Sequence, residues 1–464
     1  MELITLAMNG EVPLYRQLYE YIKSEIRSGR IRYNTRLPSK RKLSSYLKIS
    51  QNTIQAAYDQ LIEEGYVVPV QRKGFFVCKL DNIIKLEVKN EESPLSLQKD
   101  QTGVSVDFSY NGVDFESFPF ATWRKLTRDV ISEYDRQLLQ LGDSQGNMEL
   151  RGSISEYLRQ SRGVNCTAGQ IVISAGTEYL FPILIQLLDR DSVYGLENPG
   201  YERLGMLFRS NGARFKAIGI DAEGMIPDEI EKSGANVLCI TPSHQFPSGG
   251  IMPISRRIRL LNWANHTPGR YIIEDDYDSE FKYSGRPIPA LQGLDTGGRV
   301  IYMGAFSKSL SPAVRVSYMV LPEPLLKAYR ENLSFIICPV PGMDQKVLCR
   351  FIQGGYFERH LNKMRNIYRK KREALVGEIL RLNNRRIEII GADAGLHILL
   401  KINNGMNEEQ LVSSALKAGI RVYGLSRYYL EDCDTSRSIV LLGYAALTED
   451  KIKKAIRILD KVWF

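Results

Sequence analysis

The chain has 464 residues, 44% of them hydrophobic and 25% charged, and its formal net charge is +9. That length is more than one hydrophobic core usually serves, so we expect a globular protein of two or three domains. The sequence lacks the run of roughly 18 to 20 apolar residues that a membrane helix needs, and it begins without a secretion signal. Its six cysteines and four histidines show no paired or clustered spacing. These features argue against a membrane span, a disulfide framework and a metal centre, and they favour a cytoplasmic location.

The positive charge is concentrated at the N-terminal end of the chain. Residues 1–80 contain thirteen lysines and arginines against seven acidic residues, a net charge of +6. A basic segment joined to a nearly neutral remainder indicates a polyanionic partner for that segment.

Helical periodicity predicts three short helices in this basic segment. The first follows Pro13 and ends near Gly29, with apolar residues along one face. The second follows Ser39, a residue type that caps helix N-termini, and the third runs from Ser50 to Gly65. Two short apolar strands at 66–70 and 74–77 then predict a hairpin with a basic tip.

The short connection at 48–50 is typical of a helix-turn-helix motif, whose second helix enters the DNA major groove with its N-terminal residues forward. Amides and hydroxyls at these positions contact base edges or phosphates, although a solvated helix face carries the same residue types. The candidate DNA-contacting residues of this helix are Gln51, Asn52, Thr53 and Gln55.

Residues 37–43, 50–65 and 74–77 together resemble the GntR class of winged helix-turn-helix domains, over about residues 11–79. The resemblance implies that Ser39 and Arg41 touch the backbone of double-stranded operator DNA and that the third helix reads bases. It also implies that the wing, with Arg72 and Lys73 at its tip, lies in the minor groove. The chain has Gln51 where the family commonly has arginine, so the base sequence that it reads stays open.

Polar residues 80–106 show no sustained periodicity and predict a linker. A flexible linker of this length has a root-mean-square span of roughly 25 to 30 Å, which permits a domain-swapped homodimer. Beyond it, helical stretches alternate with short apolar strands, a pattern that predicts an α/β body at 107–464 with a mainly parallel sheet covered on both faces. We expect a large subdomain at 107–325 and a smaller α+β subdomain at 326–464.

One lysine of the body, Lys308, follows the apolar run at 300–303, which predicts a buried strand. Chemistry in α/β proteins is placed at strand ends. A lysine there is a phosphate counter-ion, a Schiff-base nucleophile or a solvated loop residue. A second predicted strand, at 271–273, runs directly into carboxylates that include Asp275.

Asp275 and Lys308 together suit a pyridine-ring cofactor, because a carboxylate keeps the ring nitrogen protonated while a lysine holds the aldehyde. Tyr277, two residues beyond Asp275, would project from the same side of a continued strand and reach the phenolic oxygen of the cofactor. A phosphate also has candidate partners. They are the Ser307 hydroxyl, the Arg315 guanidinium and a predicted helix N-terminus at Gly176 and Thr177.

With the segments at 197–201, 241–249 and 304–308, these residues resemble the fold-type I aminotransferases, which use pyridoxal 5′-phosphate, over about residues 107–464. They resemble in particular the MocR/GabR regulators, in which such a domain follows a GntR head. The resemblance implies catalytic roles for Lys308, Asp275 and Tyr277 and places Tyr201 against the cofactor. It also implies an effector carboxylate bound by Arg203 and Arg427, with Arg421 and Arg437 as rivals of the latter.

Two departures separate the sequence from working aminotransferases. Residues 244–247 replace a motif whose asparagine contacts the phenolic oxygen of the cofactor, and Ala305 replaces a hydroxyl residue. We therefore expect a homodimeric transcription regulator, an activator or a repressor, that senses an amine or amino acid by its exchange with Lys308 on the cofactor. The GabR resemblance suggests 4-aminobutyrate, and at most half of a transamination. The alternative is an active aminotransferase with an autoregulatory head.

Overall fold

The structure, a computed structural model, describes residues 12–79, 103–132, 136–283, 288–382, 385–430 and 438–464. Most of the predicted linker, and Arg437, lie outside these ranges. The chain divides into two compact units, a head up to residue 99 and a body from residue 100. No helix among the described residues is both long and apolar enough to cross a membrane.

The head is a three-helix domain with a two-stranded wing. Its elements are α1 (Leu14–Arg27), α2 (Lys40–Leu47), α3 (Gln51–Glu63), β1 (Val67–Val70) and β2 (Gly74–Val77). The side chains of Ser39 and Ser50 accept hydrogen bonds from the backbone N–H groups of Lys42 and Thr53, so the two predicted helix starts are confirmed. The strands pair antiparallel, which confirms the hairpin.

The core of the head joins its three helices to the wing. Leu18 and Ile22 of α1 and Ile54 and Leu61 of α3 are buried in one cluster. The buried Tyr58 packs edge-on against Phe75 of the wing, with ring centroids 5.0 Å apart, and donates its hydroxyl to the Pro38 carbonyl oxygen at 2.9 Å. These contacts hold α3 and the wing in a fixed relation within the head.

The larger part of the body is built on one sheet. Its elements are β3 (Val106–Asp107), α4 (Phe120–Ser132), α5 (Met148–Arg162), β4 (Ile171–Ser174), α6 (Thr177–Leu187), β5 (Val193–Asn198), α7 (Glu202–Ser210), β6 (Arg214–Asp221), β7 (Gly224–Met225), α8 (Pro227–Ser233), β8 (Val237–Ile240), α9 (Ile254–His266), β9 (Tyr271–Asp276), β10 (Val300–Ala305), β11 (Ser317–Val320) and α10 (Glu323–Asn332).

The sheet has the strand order β4-β11-β10-β9-β8-β5-β6-β7, and β3 lies outside it, paired in parallel with residues 420–421. The neighbours from β10 to β6 pair in parallel, whereas β11 runs antiparallel to both β4 and β10, and β7 runs antiparallel to β6. Successive residues of β4 enter different cores, since Ile171 and Ile173 pack in one cluster and Val172 packs in another. The predicted mainly parallel sheet with two covered faces is therefore confirmed, with antiparallel strands toward its edges.

The C-terminal part of the body adds helices and a second sheet. Its elements are α11 (Gly342–Gln353), α12 (Tyr356–Arg381), β12 (Ile387–Ile390), β13 (His397–Ile402), α13 (Glu408–Lys417), β14 (Ile420–Arg421), β15 (Tyr423–Gly424), β16 (Ile439–Gly443) and α14 (Glu449–Trp463). Strands β12, β13, β16 and β15 form an antiparallel sheet in that order. The proposed boundary at 325/326 falls within α10, whose Leu325, Leu326 and Tyr329 pack in the same core as Val172.

Candidate cofactor site and nucleic-acid interface

Sheet register brings the predicted lysine and carboxylates to one edge of the large sheet. Strands β9 and β10 are parallel neighbours in which Met303 lies opposite Asp275. The two strands end at Asp276 and Ala305, so the chain beyond each end reaches the same edge. Lys308, three residues past the end of β10, donates a hydrogen bond from Nζ to the Tyr110 carbonyl oxygen and lies 5.1 Å from the centre of the Tyr110 ring.

Burial increases the neutral fraction of Lys308. Desolvation lowers the pKa of this lysine to about 8, while the nearby Asp278 carboxylate acts in the opposite direction. Because a lysine with this pKa is neutral in about a tenth of molecules at pH 7, its amine is a far better nucleophile than that of an ordinary lysine. Lys308 is therefore suited to covalent chemistry with a carbonyl group.

The two adjacent aspartates of β9 have different environments. Asp276 accepts a hydrogen bond from Arg162 Nε at 2.8 Å and another from the Tyr302 hydroxyl at 2.6 Å. Asp275 instead lines a cavity together with Tyr201 and Phe246. Desolvation, with the charges of Asp276 and Asp278, raises the pKa of Asp275 to about 7. A cationic ring nitrogen in the cavity would return this carboxyl to its anionic form.

Tyr277 is the first residue beyond β9, so the strand does not continue as far as the projected geometry required. Its hydroxyl lies 3.0 Å from His244 Nδ1. Burial, together with the Asp278 charge, raises the pKa of Tyr277 well above its ordinary value, which keeps the hydroxyl protonated at neutral pH.

Aromatic side chains enclose this region. The Tyr110 ring lies 4.7 Å from the ring of Phe246 and 6.5 Å from that of Tyr201, while Tyr428 lies 5.1 Å from Phe246. The Tyr201 ring thus belongs to the same apolar wall as the cavity beside Asp275. Sequence reasoning did not single out Tyr110 or Tyr428, because no local spacing connects either to the lysine segment.

A buried glutamate, Glu197, organises the loop between β8 and α9. Its Oε2 accepts hydrogen bonds from the Thr241 hydroxyl at 2.6 Å and from Gln245 Nε2 at 3.3 Å. Burial raises the pKa of Glu197 to about 7. Gln245 Nε2 also contacts the Pro199 carbonyl oxygen at 3.1 Å, so its amide is committed to the loop.

The candidate phosphate partners meet at the start of α6. Gly176 caps this helix, Thr177 is its first residue, and the Arg315 guanidinium lies beside them in an ion pair with Glu178. A Cβ on Gly176, whose φ is +137°, would stand 2.2 Å from Arg315 Nη2, so a side chain here would strain the backbone and displace the guanidinium. Helix N–H groups and a guanidinium are an anion-binding set, which fits a phosphate monoester. Ser307 adjoins Lys308 and is partly buried.

The two predicted effector arginines lie beside the start of α7. Arg203 is exposed in the first turn of that helix. Arg427 is 57% exposed, and its Nε lies 3.7 Å from Glu202 Oε1. Glu202 is therefore followed in the chain by Arg203 and is approached in space by Arg427. The rival Arg421 lines the same pocket as Arg427 but has a different acidic neighbour, with Nη1 3.7 Å from Asp107 Oδ2.

The predicted DNA-contacting residues of the head differ in exposure. Ser39, Arg41, Gln51 and Asn52 are exposed, as are Arg72 and Lys73 at the wing tip. Thr53 and Gln55 are partly buried and already bonded, since the Thr53 hydroxyl lies 2.8 Å from Ser50 Oγ and Gln55 accepts a hydrogen bond from Lys40. The exposed basic and amide groups are the ones that a nucleic acid reaches without rearrangement of the head.

Comparison with known proteins identifies both units. Residues 14–77 match the gntR family of bacterial regulatory proteins, and residues 105–459 match aminotransferase class I and II. The body resembles a kynurenine aminotransferase of Pyrococcus horikoshii in fold, with a TM-score of 0.70 and 24% identity over 78% of this chain and 91% of that one. A helix-turn-helix head on an aminotransferase-type body defines a transcriptional regulator.

Full-length relatives show the same combination. The chain is 41% identical to the HTH-type transcriptional regulator YdeL of Bacillus subtilis (strain 168), over 98% of this chain and 97% of YdeL. It is 31% identical to the probable rhizopine catabolism regulatory protein MocR of Rhizobium meliloti, over 98% of this chain and 94% of MocR. The protein belongs to the MocR-type family of transcription regulators, and its aminotransferase class I and II domain indicates pyridoxal 5′-phosphate as the cofactor.

Proposed function

We propose that the body binds pyridoxal 5′-phosphate at Lys308 and controls DNA binding by sensing a small molecule that carries a primary amine and a carboxylate. The observation that supports this proposal is that the parallel neighbours β9 and β10 lead Asp275 and Lys308 to the same edge of the sheet, in a chain that also has a gntR-type head. Among such molecules 4-aminobutyrate is the first candidate.

Each predicted residue has a defined task in this proposal. When bound, the cofactor supplies an aldehyde that condenses reversibly with primary amines. Lys308 Nζ would hold that carbon, Asp275 would keep the ring nitrogen protonated, and the Tyr277 hydroxyl would donate to the phenolic oxygen. Tyr201 would pack against the ring. The phosphate would be held by Gly176, Thr177, Ser307 and Arg315, and it would compete with Glu178 for the guanidinium.

The effector's two functional groups follow from the site. A primary amine is required, because its exchange with Lys308 is the one covalent event that this site offers as a switch. A carboxylate is implied by Arg203 and Arg427, which flank Glu202. An effector carboxylate would take the place of Glu202 at Arg427 and so change contacts at the start of α7. Such a change controls the head only if the effector binds two conformations of the body unequally.

A homodimer in the cytoplasm completes the proposal. Large apolar side chains at Leu139, Leu141, Met148, Phe335 and Ile337 are at least half exposed. The two segments that carry them are linked through Gln345, whose Oε1 accepts from the Asn147 N–H at 2.7 Å and whose Nε2 lies 3.5 Å from Cys338 Sγ. An apolar surface of this kind marks a protein interface, and a second copy of the chain would supply the second head that a two-fold symmetric operator requires.

Effector recognition is tested by operator-dependent transcription with purified protein and a panel of amino acids and simple amines. We expect Arg427→Ala to require about tenfold to a hundredfold more 4-aminobutyrate, because this variant has no guanidinium to donate charge-assisted hydrogen bonds to the carboxylate. Arg421→Ala is the matched control, since this neighbouring arginine is near Asp107, and should respond as the wild type does. Equal responses to an amine without a carboxylate, or an undiminished response of Arg427→Ala, would contradict the proposal.

Asp275→Asn is expected to weaken effector exchange by about tenfold or more while leaving the cofactor attached, because the ring nitrogen loses its anionic partner but Lys308 and the phosphate-binding groups remain. The measurement is an ultraviolet–visible titration of the loaded protein with the effector, with borohydride trapping at Lys308 as the internal control for attachment. A variant with unchanged spectra and an unchanged titration would remove Asp275 from the mechanism.

The alternative, an active aminotransferase, is favoured by the fold and by Lys308. It differs in its kinetics, because an enzyme sustains turnover of an amino donor with a keto-acid acceptor. A pure sensor stops after the exchange of amines or after half of a transamination. Multiple turnovers at ordinary enzymatic rates would replace the sensor proposal with this one.

A further inference from the structure

A buried histidine bridges the Tyr277 hydroxyl and the Asp278 carboxylate. His244 Nδ1 lies 3.0 Å from Tyr277 Oη, 3.0 Å from Asp278 Oδ2 and 3.1 Å from Asp278 Oδ1. The side chains of His244 and Asp278 are each only 2% exposed. Because one ring nitrogen serves two oxygen partners, its protonation state decides which of them donates a hydrogen bond.

The carboxylate determines the tautomer of His244. An ionised Asp278 only accepts hydrogen bonds, so Nδ1 must carry the hydrogen, since a bare nitrogen would face the carboxylate with its lone pair. An Nδ1–H that donates to Asp278 does not accept from Tyr277, and the tyrosine hydrogen stays available to another acceptor. His244 Nε2 has no hydrogen-bond partner among the described residues, which suits a neutral ring without a hydrogen at that position.

The backbone at Gly395 packs against one side of the His244 ring. A Cβ added to Gly395 would stand 1.9 Å from His244 Cε1, so the glycine backbone covers that side of the imidazole. Gly395 N–H in turn donates to the Phe281 carbonyl oxygen at 2.8 Å. The segment that precedes β13 therefore packs against the His244 ring, and the hydrogen bond to Phe281 holds it there.

A metal-ion site explains the arrangement of His244, Asp278 and His397 less well than a hydrogen-bonded network does. Ligating atoms of His244, Asp278 and His397 lie within 4.8 Å of one another. His244 Nδ1, however, is already bonded to Asp278, and His397 Nε2 lies 3.0 Å from the Pro247 carbonyl oxygen. These contacts make a hydrogen-bonded network in which His244 Nδ1 and His397 Nε2 are already occupied.

The motif that contains His244 departs from the aminotransferase pattern, in which an asparagine contacts the phenolic oxygen of the cofactor. Gln245 does not replace that amide, because its Oε1 accepts from Ser248 N–H at 3.0 Å while its Nε2 contacts Glu197 and Pro199. We propose that His244 is a positioning residue that acts through Tyr277: because its Nδ1–H donates to Asp278, it does not accept from the Tyr277 hydroxyl, whose hydrogen stays free to donate to the phenolic oxygen. This inference rests on the proposed cofactor site.

The first test needs no cofactor. The chain has four histidines, so the ¹⁵N spectrum of cofactor-free protein labelled at histidine is simple enough to assign with single His→Asn variants. We expect His244 to show the pattern of a neutral, Nδ1-protonated ring. A ring protonated only at Nε2 would overturn the proposal, because Nδ1 would then accept from Tyr277 and remove its hydrogen from the cofactor.

The second test follows the absorption of protein loaded with pyridoxal 5′-phosphate as the pH is changed. A donor to a phenolate stabilises the anion, so removal of that donor raises the proton affinity of the chromophore. We expect His244→Gln to raise the pH midpoint by about one unit, equivalent to about tenfold in proton affinity. His244→Asn should shift it less, because its amide nitrogen can take the place of Nδ1 and restore the hydrogen bond to Asp278.

Two controls separate positioning from general disturbance. His397→Gln removes the neighbouring buried histidine, whose ring centre is 5.2 Å from that of His244, and should leave the midpoint unchanged. In the Tyr277→Phe background, His244→Gln should add no further shift, because the hydroxyl through which it acts is gone. Asp275, Asp278, Glu197 and Tyr110, the groups whose charges act on Tyr277, stay in place in these variants.

An equal shift in the Tyr277→Phe background, or the same shift from His397→Gln, would overturn the positioning role. If His244→Gln does not fold, the Asn variant and the wild-type spectrum still decide between the two tautomers. Absence of any bound-cofactor absorption in the wild type would defeat the proposed function, whereas the cofactor-free spectrum would still report on His244.

Discussion

Lys308→Ala is expected to abolish covalent attachment of pyridoxal 5′-phosphate and, with it, the transcriptional response to the amine effector. DNA binding by the head should persist. The fold should also persist, because Lys308 lies beyond the end of β10, and that strand is held by its pairing with β9 and β11. Borohydride trapping followed by peptide mass spectrometry measures attachment, and operator binding is measured on the same sample.

Lys308→Arg is the matched control for charge. It keeps a cation near Asp278 but presents a guanidinium that does not form the covalent link, so it should behave as Lys308→Ala does toward the cofactor. A trapped cofactor at another lysine in either variant would show that the assignment of Lys308 is wrong. Loss of DNA binding in both variants would show instead that attachment at this site is required for the head to function.

Operator affinity is expected to fall steeply with salt. A protein that makes about six to ten phosphate contacts loses roughly 10³- to 10⁵-fold in affinity between 50 and 200 mM salt, because each contact releases counterions. The exposed Arg41, Arg72 and Lys73 are the residues expected to make such contacts. Replacing one with alanine should lower the salt slope by about 0.9 for each phosphate that is no longer neutralised, with similar effects on different DNA sequences.

The matched control in the head is Lys23→Ala. Lys23 Nζ lies 2.7 Å from Glu64 Oε2 and donates to the Tyr19 hydroxyl, so its charge is used within the head. We expect this variant to keep the wild-type salt slope. Binding that does not change with salt, or an equal decrease of slope in Lys23→Ala and Arg72→Ala, would contradict the predicted interface. Fluorescence anisotropy over a series of salt concentrations distinguishes these outcomes.

The sequence by itself determined the features that depend on residues close together in the chain. Ser39 and Ser50 mark helix starts because a serine hydroxyl bonds an N–H only three residues away. The apolar runs that lead to Asp275 and Lys308 are short and uninterrupted, as buried parallel strands are, so both residues could be assigned to strand ends. Segments of motif length were also sufficient to indicate the family.

Only the tertiary structure decided which side chains meet. Tyr110 reaches Lys308 across 198 residues of sequence, and His244 reaches Tyr277 across 33. The structure also distinguishes Asp276, which is bonded to Arg162, from Asp275, which lines the cavity. Such contacts depend on strand order, register and the packing of distant loops, which local periodicity does not encode. For that reason the strand-end positions of Asp275 and Lys308 were predictable from the sequence, whereas the hydrogen-bonded network around Tyr277 was not.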